Sequence, residues 1–356
     1  MINISVLFIG DLNPGTRSFM RYETLKTLVN SCDFISNTVI PFNQGIDKSN
    51  LYSRFMHKIG FPTDATSLNK HLLEKVINKD LETAYDIIWI EKTIALRPRT
   101  LRLLRKFSHS LKIISVSEDD MYASHNRSKY YDKCLNFYDI VFTTKKYNLT
   151  ELISIGAKQT AFFLDSFDEK LHKPMKDFSG ISQKNIDVSF IGTYEDDRFN
   201  QLFWLAKKGI RVCVFGSGWE KYKNIHENLI IHGSPIYSKE YVKIINQSKI
   251  NLGFLRKINR DVVTSRSIEI PACSSFLLAE RTEAHKNLFI EGVEAEFFSS
   301  KEELYEKIKF YLSNKSKIIQ IGKNARKRCI KSGYSMKKQL ISIIDKVRIN
   351  TNDNLH

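Results

Sequence analysis

The sequence predicts an α/β protein made of two parallel-sheet halves, and three observations carry that expectation. Short β-branched or aromatic runs alternate with amphipathic helical stretches along the chain. The alternation pauses where Pro, Gly and Ser gather between residues 165 and 184, and then it restarts. At 356 residues and 42% hydrophobic content, the chain is large enough for two cores.

Taken in order, the first half offers strands at 5–9, 37–40, 87–90, 112–116, 140–143 and 160–163. Runs such as IIWI at 87–90 are apolar throughout, as strands covered on both faces must be. Helices are expected at 18–29, 72–84, 99–108 and 149–154. The second half offers strands at 188–191, 212–215, 229–231, 250–254 and 276–279. Its helices are placed at 197–207, 238–247, from 264 or 265 onward, 301–313 and 315–332. A last helix at 336–348 carries Leu340, Ile343, Ile344 and Val347 at i, i+3, i+4 and i+7, a stripe that must bury against something. The expected domains are therefore 1–175 and 185–333, followed by a terminal helix and tail at 334–356. In such sheets ligands favour the carboxyl ends of the strands, here in a cleft between the two halves.

The opening run MINISVLFIGDLNPG reads as a first buried strand rather than a secretory leader, and no stretch has the ~20 apolar residues of a membrane span. Five scattered cysteines, odd in number and without metal-ligand spacing, fit a reduced cytoplasmic protein. The net charge of +16 fits an anionic partner, or simply a lysine-rich composition. Arg97 to Phe107 is a basic amphipathic stretch, read either as a solvated helix face or as a helix for an anionic membrane surface.

Candidate chemistry clusters where strands run into helices. Gly10 to Thr16, with Gly15, forms the first such turn, and Arg17 and Arg21 follow one helical turn apart, suited to an anion. Glu118, Asp119 and Asp120 follow the strand at 112–116; a general base or a sugar-hydroxyl acceptor fits there, as does a helix cap. Gly192 precedes Arg198, a bidentate phosphate donor in position to start a helix. Gly216 precedes Trp219, which either flanks a base or plugs the domain. In TSRSIEIPACSSFLLAE, a helix starting near Ser265 offers free N–H groups to a diphosphate, with Arg266 to offset charge. Glu269 can accept two ribose hydroxyls, or pair internally with Arg266, and Asp261 lies in the loop before it. No His/Cys cluster accompanies these acids, so no metal site is expected.

With those residues laid out, the chain resembles the GT-B glycosyltransferases, and more narrowly the CgeB-like branch of the group 1 family. The resemblance is strongest from Asp187 to Tyr334, through DVSFIGTYEDDR, VFGSGWE, SKINLGF and RSIEIPACSSFLLAE. It implies two Rossmann-like domains facing across a cleft, with the C-terminal helix crossing back to the first. It also implies a nucleotide-sugar donor, no metal or other cofactor, and retention of anomeric configuration. Glu269 matches the ribose-binding glutamate of the family's paired-glutamate motif. Asp261 stands at the spacing of the sugar-contacting glutamate, as an aspartate, and Ser274 stands where relatives carry glycine. Arg198 and Arg266 match diphosphate positions. The acceptor expected is a glycan, a lipid-linked sugar or a protein in surface-polysaccharide or glycan assembly, with the enzyme cytoplasmic or peripheral on the inner membrane face. Two other readings stay open: a nucleic-acid-binding protein driven by charge, for which no RRM, helix-turn-helix or zinc pattern is present, and a GT-B protein performing another reaction such as epimerisation.

Overall fold

The computed structural model describes residues 1–38, 51–77, 84–108 and 110–352. These form two compact units, Met1–Leu164 with Lys337–His356, and Asp165–Met336.

In the first unit β1 (Ile2–Gly10) leads to α1 (Arg17–Leu25), capped by the Thr16 hydroxyl, and on to β2 (Val29–Ser36). Then come α2 (Leu51–Lys58), α3 (Leu68–Ile77), β3 (Ile87–Glu91) and α4 (Pro98–Phe107). The rest runs β4 (Lys112–Ser117), α5 (Lys129–Cys134), β5 (Ile140–Thr143), α6 (Asn148–Ser154) and β6 (Thr160–Phe162). All six strands are parallel, in the order β2-β1-β3-β4-β5-β6.

The second unit repeats the scheme with β7 (Ile186–Ile191), α7 (Asp196–Lys207), β8 (Val212–Phe215), β9 (Leu229–Ile231), α8 (Ser238–Gln247) and β10 (Ser248–Gly253). It continues with α9 (Arg266–Ala272), β11 (Leu277–Glu280), α10 (Glu283–Leu288), β12 (Glu296–Phe298), α11 (Lys301–Ser313) and α12 (Lys315–Lys331). Its parallel order is β12-β11-β10-β7-β8-β9, the arrangement of a dinucleotide-binding sheet.

Several expectations shift. The helix expected at 18–29 stops at Leu25, and the second strand is Val29–Ser36 rather than 37–40. Thr27 and Leu28 turn back onto Thr24 and Leu25, which frees the following residues to pair with β1. Residues 39–40 of the expected strand, and 78–83 of the helix expected at 72–84, lie outside the described residues. α2, α5, α10 and β12 are short elements that periodicity did not pick out. Residues 165–175, expected to close the first domain, cluster with the second unit. Hydrogen bonds explain why: Met175 N donates to Asn246 Oδ1 and Phe167 pairs with the chain at Tyr334–Met336.

The last helix, α13 (Met336–Asn352), returns to the first unit. There Leu164 N donates to Gln339 Oε1 at 3.1 Å and Lys346 Nζ donates to the Phe162 carbonyl at 2.8 Å. Its stripe of Leu340, Ile343, Ile344 and Val347 is buried. Ile344→Ala should therefore cost about 2–5 kcal/mol, as for other buried large-to-small changes, read by urea unfolding. Removing residues 337–356 should lower the melting temperature further and promote aggregation. A truncated chain that melts like the parent would show the helix to be an appendage.

Candidate functional site

In the second sheet the strand order reverses between β7 and β10, and ligands of such sheets bind at the carboxyl ends beside that reversal. β7 delivers Gly192 and Thr193 to this point, and the first turn of α7 delivers Arg198. Arg198 is 4% exposed, with its guanidinium 5.6 Å from the centre of the Phe190 ring. Its Nη1 donates to the Thr193 carbonyl at 2.9 Å, while Nε lies 3.8 Å from Glu195, beyond hydrogen-bond reach. Nε and Nη2 are buried without a hydrogen-bond partner, as is Nε of Arg266. Burial, then the positive charge of Arg266, pulls the Arg198 pKa down to about 10, against the attraction of Glu195. Two guanidiniums with donors not engaged in hydrogen bonds thus lie close enough to repel each other.

Glu269, in the first turn of α9, is 5% exposed. Its Oε2 accepts from the Tyr241 hydroxyl at 2.7 Å, and its Oε1 lies 3.8 Å from His172 Nε2. Burial, then the Glu269 charge, holds the Tyr241 phenol well above its usual pKa, so it remains a donor. Tyr241 and His172 come from distant sequence and carried no signal of their own. The Glu269 carboxylate thus lies beside His172 as well as Tyr241. Ser265 stands at the N-cap of α9 without a side-chain capping bond, and α9 itself is only seven residues long. Asp261, in the loop after β10, donates its N–H to the Arg256 carbonyl.

The expected cofactor glycines have local uses. Gly216 has a φ of 144°, and a β-carbon there would collide with the Gly192 carbonyl, so the two loops pack backbone to backbone. The same carbonyl accepts from Trp219 Nε1 at 2.8 Å, and the fully buried indole plugs the domain rather than flanking a base. Ser274 has a φ of 57°. That left-handed conformation is the physical reason glycine suits this position.

In the first unit the order reverses between β1 and β3. A cavity of about 220 Å³ sits there, its lining including Asp11, Arg21, Glu91, Lys92, Glu118 and Asp119, with Ser18 and Asn37 beside them. Arg21 is 5% exposed and grips Glu91 with two bonds of 2.8 and 2.6 Å, while its Nη1 reaches Glu118 at 2.5 Å. Arg17 Nε donates to both Glu118 oxygens at 2.8 Å, and Trp89 Nε1 donates to Glu91 at 2.9 Å. Burial would raise the Glu118 pKa, but Arg17 and Arg21 hold it at about 2. The arginines read as anion ligands are thus engaged by carboxylates of their own unit.

The two aspartates expected as catalytic part company. Asp120 is fully buried, and its Oδ1 accepts from Asn148 Nδ2 and from the Tyr122 and Ala123 backbone, so it holds a turn; it does not cap the next helix, α5, whose N-cap is Ser128. Asp119 lines the cavity, half-exposed, with Lys92 Nζ at 2.7 Å. Gly15, with a φ of 95°, shapes the turn between β1 and α1. Among the described residues no group of three or more His, Cys, Asp or Glu is placed to hold a metal, and no helix is long and apolar enough to cross a membrane.

Residues 198–345 match a family model described as glycosyl transferase-like. No curated protein matches the chain. Among solved structures, the chain is similar to sucrose-phosphate synthase from Thermosynechococcus elongatus, with a TM-score of 0.65 at 13% identity, covering 98% of this chain and all of that one. HepE from Anabaena, in complex with UDP, gives a TM-score of 0.59 at 13% identity over 96% of this chain and all of that one. An alpha-glucosyltransferase in complex with UDP and DNA containing an HMU base gives 0.68 at 13% identity over 98% of this chain and all of that one. The fold is therefore the GT-B fold of these enzymes.

The Arg17–Glu118–Arg21 cluster predicts an acid limb in stability. Because the folded pKa of Glu118 lies below its usual 4.5, its contribution is present above about pH 4.5 and is lost as pH falls toward about 2. Glu118→Gln should flatten that limb and cost about 2–3 kcal/mol at neutral pH, somewhat less than a fully buried pair. Urea unfolding at several pH values measures both effects, and an unchanged acid limb would show the pairing to be without net effect.

Proposed function

We propose that this chain is a nucleotide-sugar-dependent glycosyltransferase whose second unit binds the donor. The observation that supports this most directly is the buried Arg198, with two unpartnered donor nitrogens beside Arg266, at the strand-order reversal of a sheet ordered for dinucleotides. Burying a cation with donors left without hydrogen bonds is costly, and a diphosphate accepting from both guanidiniums would reduce that cost. Glu269, fixed by Tyr241, supplies the anionic acceptor for ribose hydroxyls. The glycosyl transferase-like match covers all three residues. HepE and the alpha-glucosyltransferase were solved with UDP, which makes UDP the first nucleotide to try.

In this reading the arginines stabilise the departing diphosphate electrostatically, without a metal. The transferred sugar keeps its anomeric configuration, Asp261 contacts it, and Asp119 is the first-unit carboxylate free enough of its loop to meet an acceptor hydroxyl. Glycan assembly by a CgeB-like enzyme is the setting proposed. The exposed Arg99, Arg102 and Lys106 of α4, around exposed Leu103 and Phe107, support peripheral contact with an anionic bilayer from the cytoplasmic side.

A thermal-shift screen of UDP, GDP, ADP, dTDP and CMP should raise the melting temperature with one base preferred. Glu269→Ala should weaken that nucleotide by about 2–4 kcal/mol in titration calorimetry, with the fold intact. Tyr241→Phe, which only loosens the carboxylate, should cost about 1 kcal/mol. Unchanged affinity in folded Glu269→Ala would overturn the ribose assignment. Turnover should also survive excess EDTA; loss of activity restored by Mn²⁺ or Mg²⁺ would overturn the metal-free mechanism.

A further inference from the structure

The carboxylate read as the ribose acceptor is held by more than its own helix. Glu269 is 5% exposed, and the Tyr241 hydroxyl of α8 donates to its Oε2 at 2.7 Å. One bond of this kind leaves a carboxylate able to turn, because the last torsion of a glutamate is soft. On its other side Oε1 lies 3.8 Å from Nε2 of His172. That imidazole is 1% exposed and stands edge-on to the Tyr241 ring, with 6.0 Å between centres and 89° between planes.

A tight turn sets the imidazole in place. Asp168 Oδ1 accepts from the N–H groups of Lys170 and Leu171 at 2.7 and 2.9 Å, the local bonding by which aspartate nucleates turns. The His172 N–H closes the turn on the Asp168 carbonyl at 2.8 Å, and the Asp168 N–H donates to His172 Nδ1 at 2.9 Å. A ring nitrogen that accepts carries no proton, so in the neutral imidazole the proton sits on Nε2, the nitrogen beside Glu269. At 3.8 Å that N–H acts as an oriented dipole rather than as a hydrogen-bond donor. Arg326 of α12 joins the turn to the helix that carries Glu269. Its Nη1 donates to the His172 carbonyl at 3.3 Å and to the carbonyl of Ala272 at the end of α9. The carboxylate thus has the Tyr241 hydroxyl at one oxygen and the His172 N–H near the other.

We propose that His172 is a positioning residue for the nucleotide: with Tyr241 it fixes the plane of the Glu269 carboxylate, and so makes the site select a ribonucleotide over its 2′-deoxy counterpart. The proposal rests on the reading of Glu269 as the ribose acceptor. A carboxylate turned out of the plane of two adjacent hydroxyls keeps one hydrogen bond and loses the other, so recognition of the pair depends on the groups that hold it. A 2′-deoxy nucleotide presents only one of those hydroxyls. It gains little from a fixed plane and loses little when His172 is changed.

Titration calorimetry on the full chain tests this, with UDP, GDP and ADP each paired with its 2′-deoxy form. The parent should favour the ribonucleotide of its preferred base by roughly tenfold or more, as for a hydrogen bond to a charged group. His172→Asn keeps an amide oxygen for the Asp168 N–H but brings no donor to Glu269, and His172→Phe keeps the ring without its nitrogens. Both should cut that ratio to about twofold while the deoxy affinity stays within about twofold of the parent. His172→Gln, whose longer amide carries an N–H toward the same place, should restore most of the ratio. A merely structural role would weaken both nucleotides alike and leave the ratio unchanged, and that outcome in either folded variant would overturn the proposal. Glu269→Ala separates the two readings. If it removes the ratio while folded His172→Asn keeps it, His172 is not the positioning group and the ribose assignment stands. If folded Glu269→Ala keeps the parental ratio, or none of the six nucleotides binds the parent, the ribose assignment falls and this proposal with it.

Discussion

Two parallel strands cannot be joined by a hairpin; each pair needs a crossover that returns the chain to the same edge. This chain meets that requirement throughout both sheets, so every strand of a sheet ends on the same side. The loops that carry polar chemistry therefore collect at one edge of each unit, while strands such as IIWI and LLAE are buried on both faces. Where the strand order reverses, neighbouring crossovers diverge and leave room. Both candidate sites lie at such reversals, β1/β3 in one unit and β7/β10 in the other.

The two reversals handle buried charge in opposite ways. In the first unit Arg17 and Arg21 are matched at short range by Glu118 and Glu91. In the second, two nitrogens of Arg198 have no hydrogen-bond partner, and burial and then Arg266 lower its pKa.

The α/β class and most strands were legible because fully buried parallel strands leave continuous apolar runs. The exceptions have physical reasons. β2, with the sequence VNSCDFIS, is an edge strand with one partner, so its burial is mixed and its pattern weak. α5 and α10 are six residues each, less than two helical turns, too short to show a period. At the site, Arg198, Arg266 and Glu269 could be picked out because each sits at a fixed offset from a strand end or helix start. Tyr241 and His172 could not, since they meet Glu269 only through tertiary packing. Arg21 was visible as a cation, but its partners Glu91 and Glu118 stand at the ends of different strands, and only the sheet order brings them together. Asp120 shows the reverse case: an acid at a strand end looks catalytic, yet its bonds to Asn148 and to the turn that follows it hold the backbone in place.

The first unit is discontinuous in sequence, since its final helix follows the whole of the second unit. That has a consequence for biogenesis. On the ribosome, residues 1–164 emerge well before the segment bearing Leu340, Ile343, Ile344 and Val347, by on the order of ten seconds or more at ~5–20 residues per second. During that interval the surface meant for the helix lacks its cover, and the nascent chain is exposed to chaperones and to premature association. The second unit, contiguous in sequence, carries no such delay and is free to fold first. Burial of that surface is thereby tied to the arrival of α13.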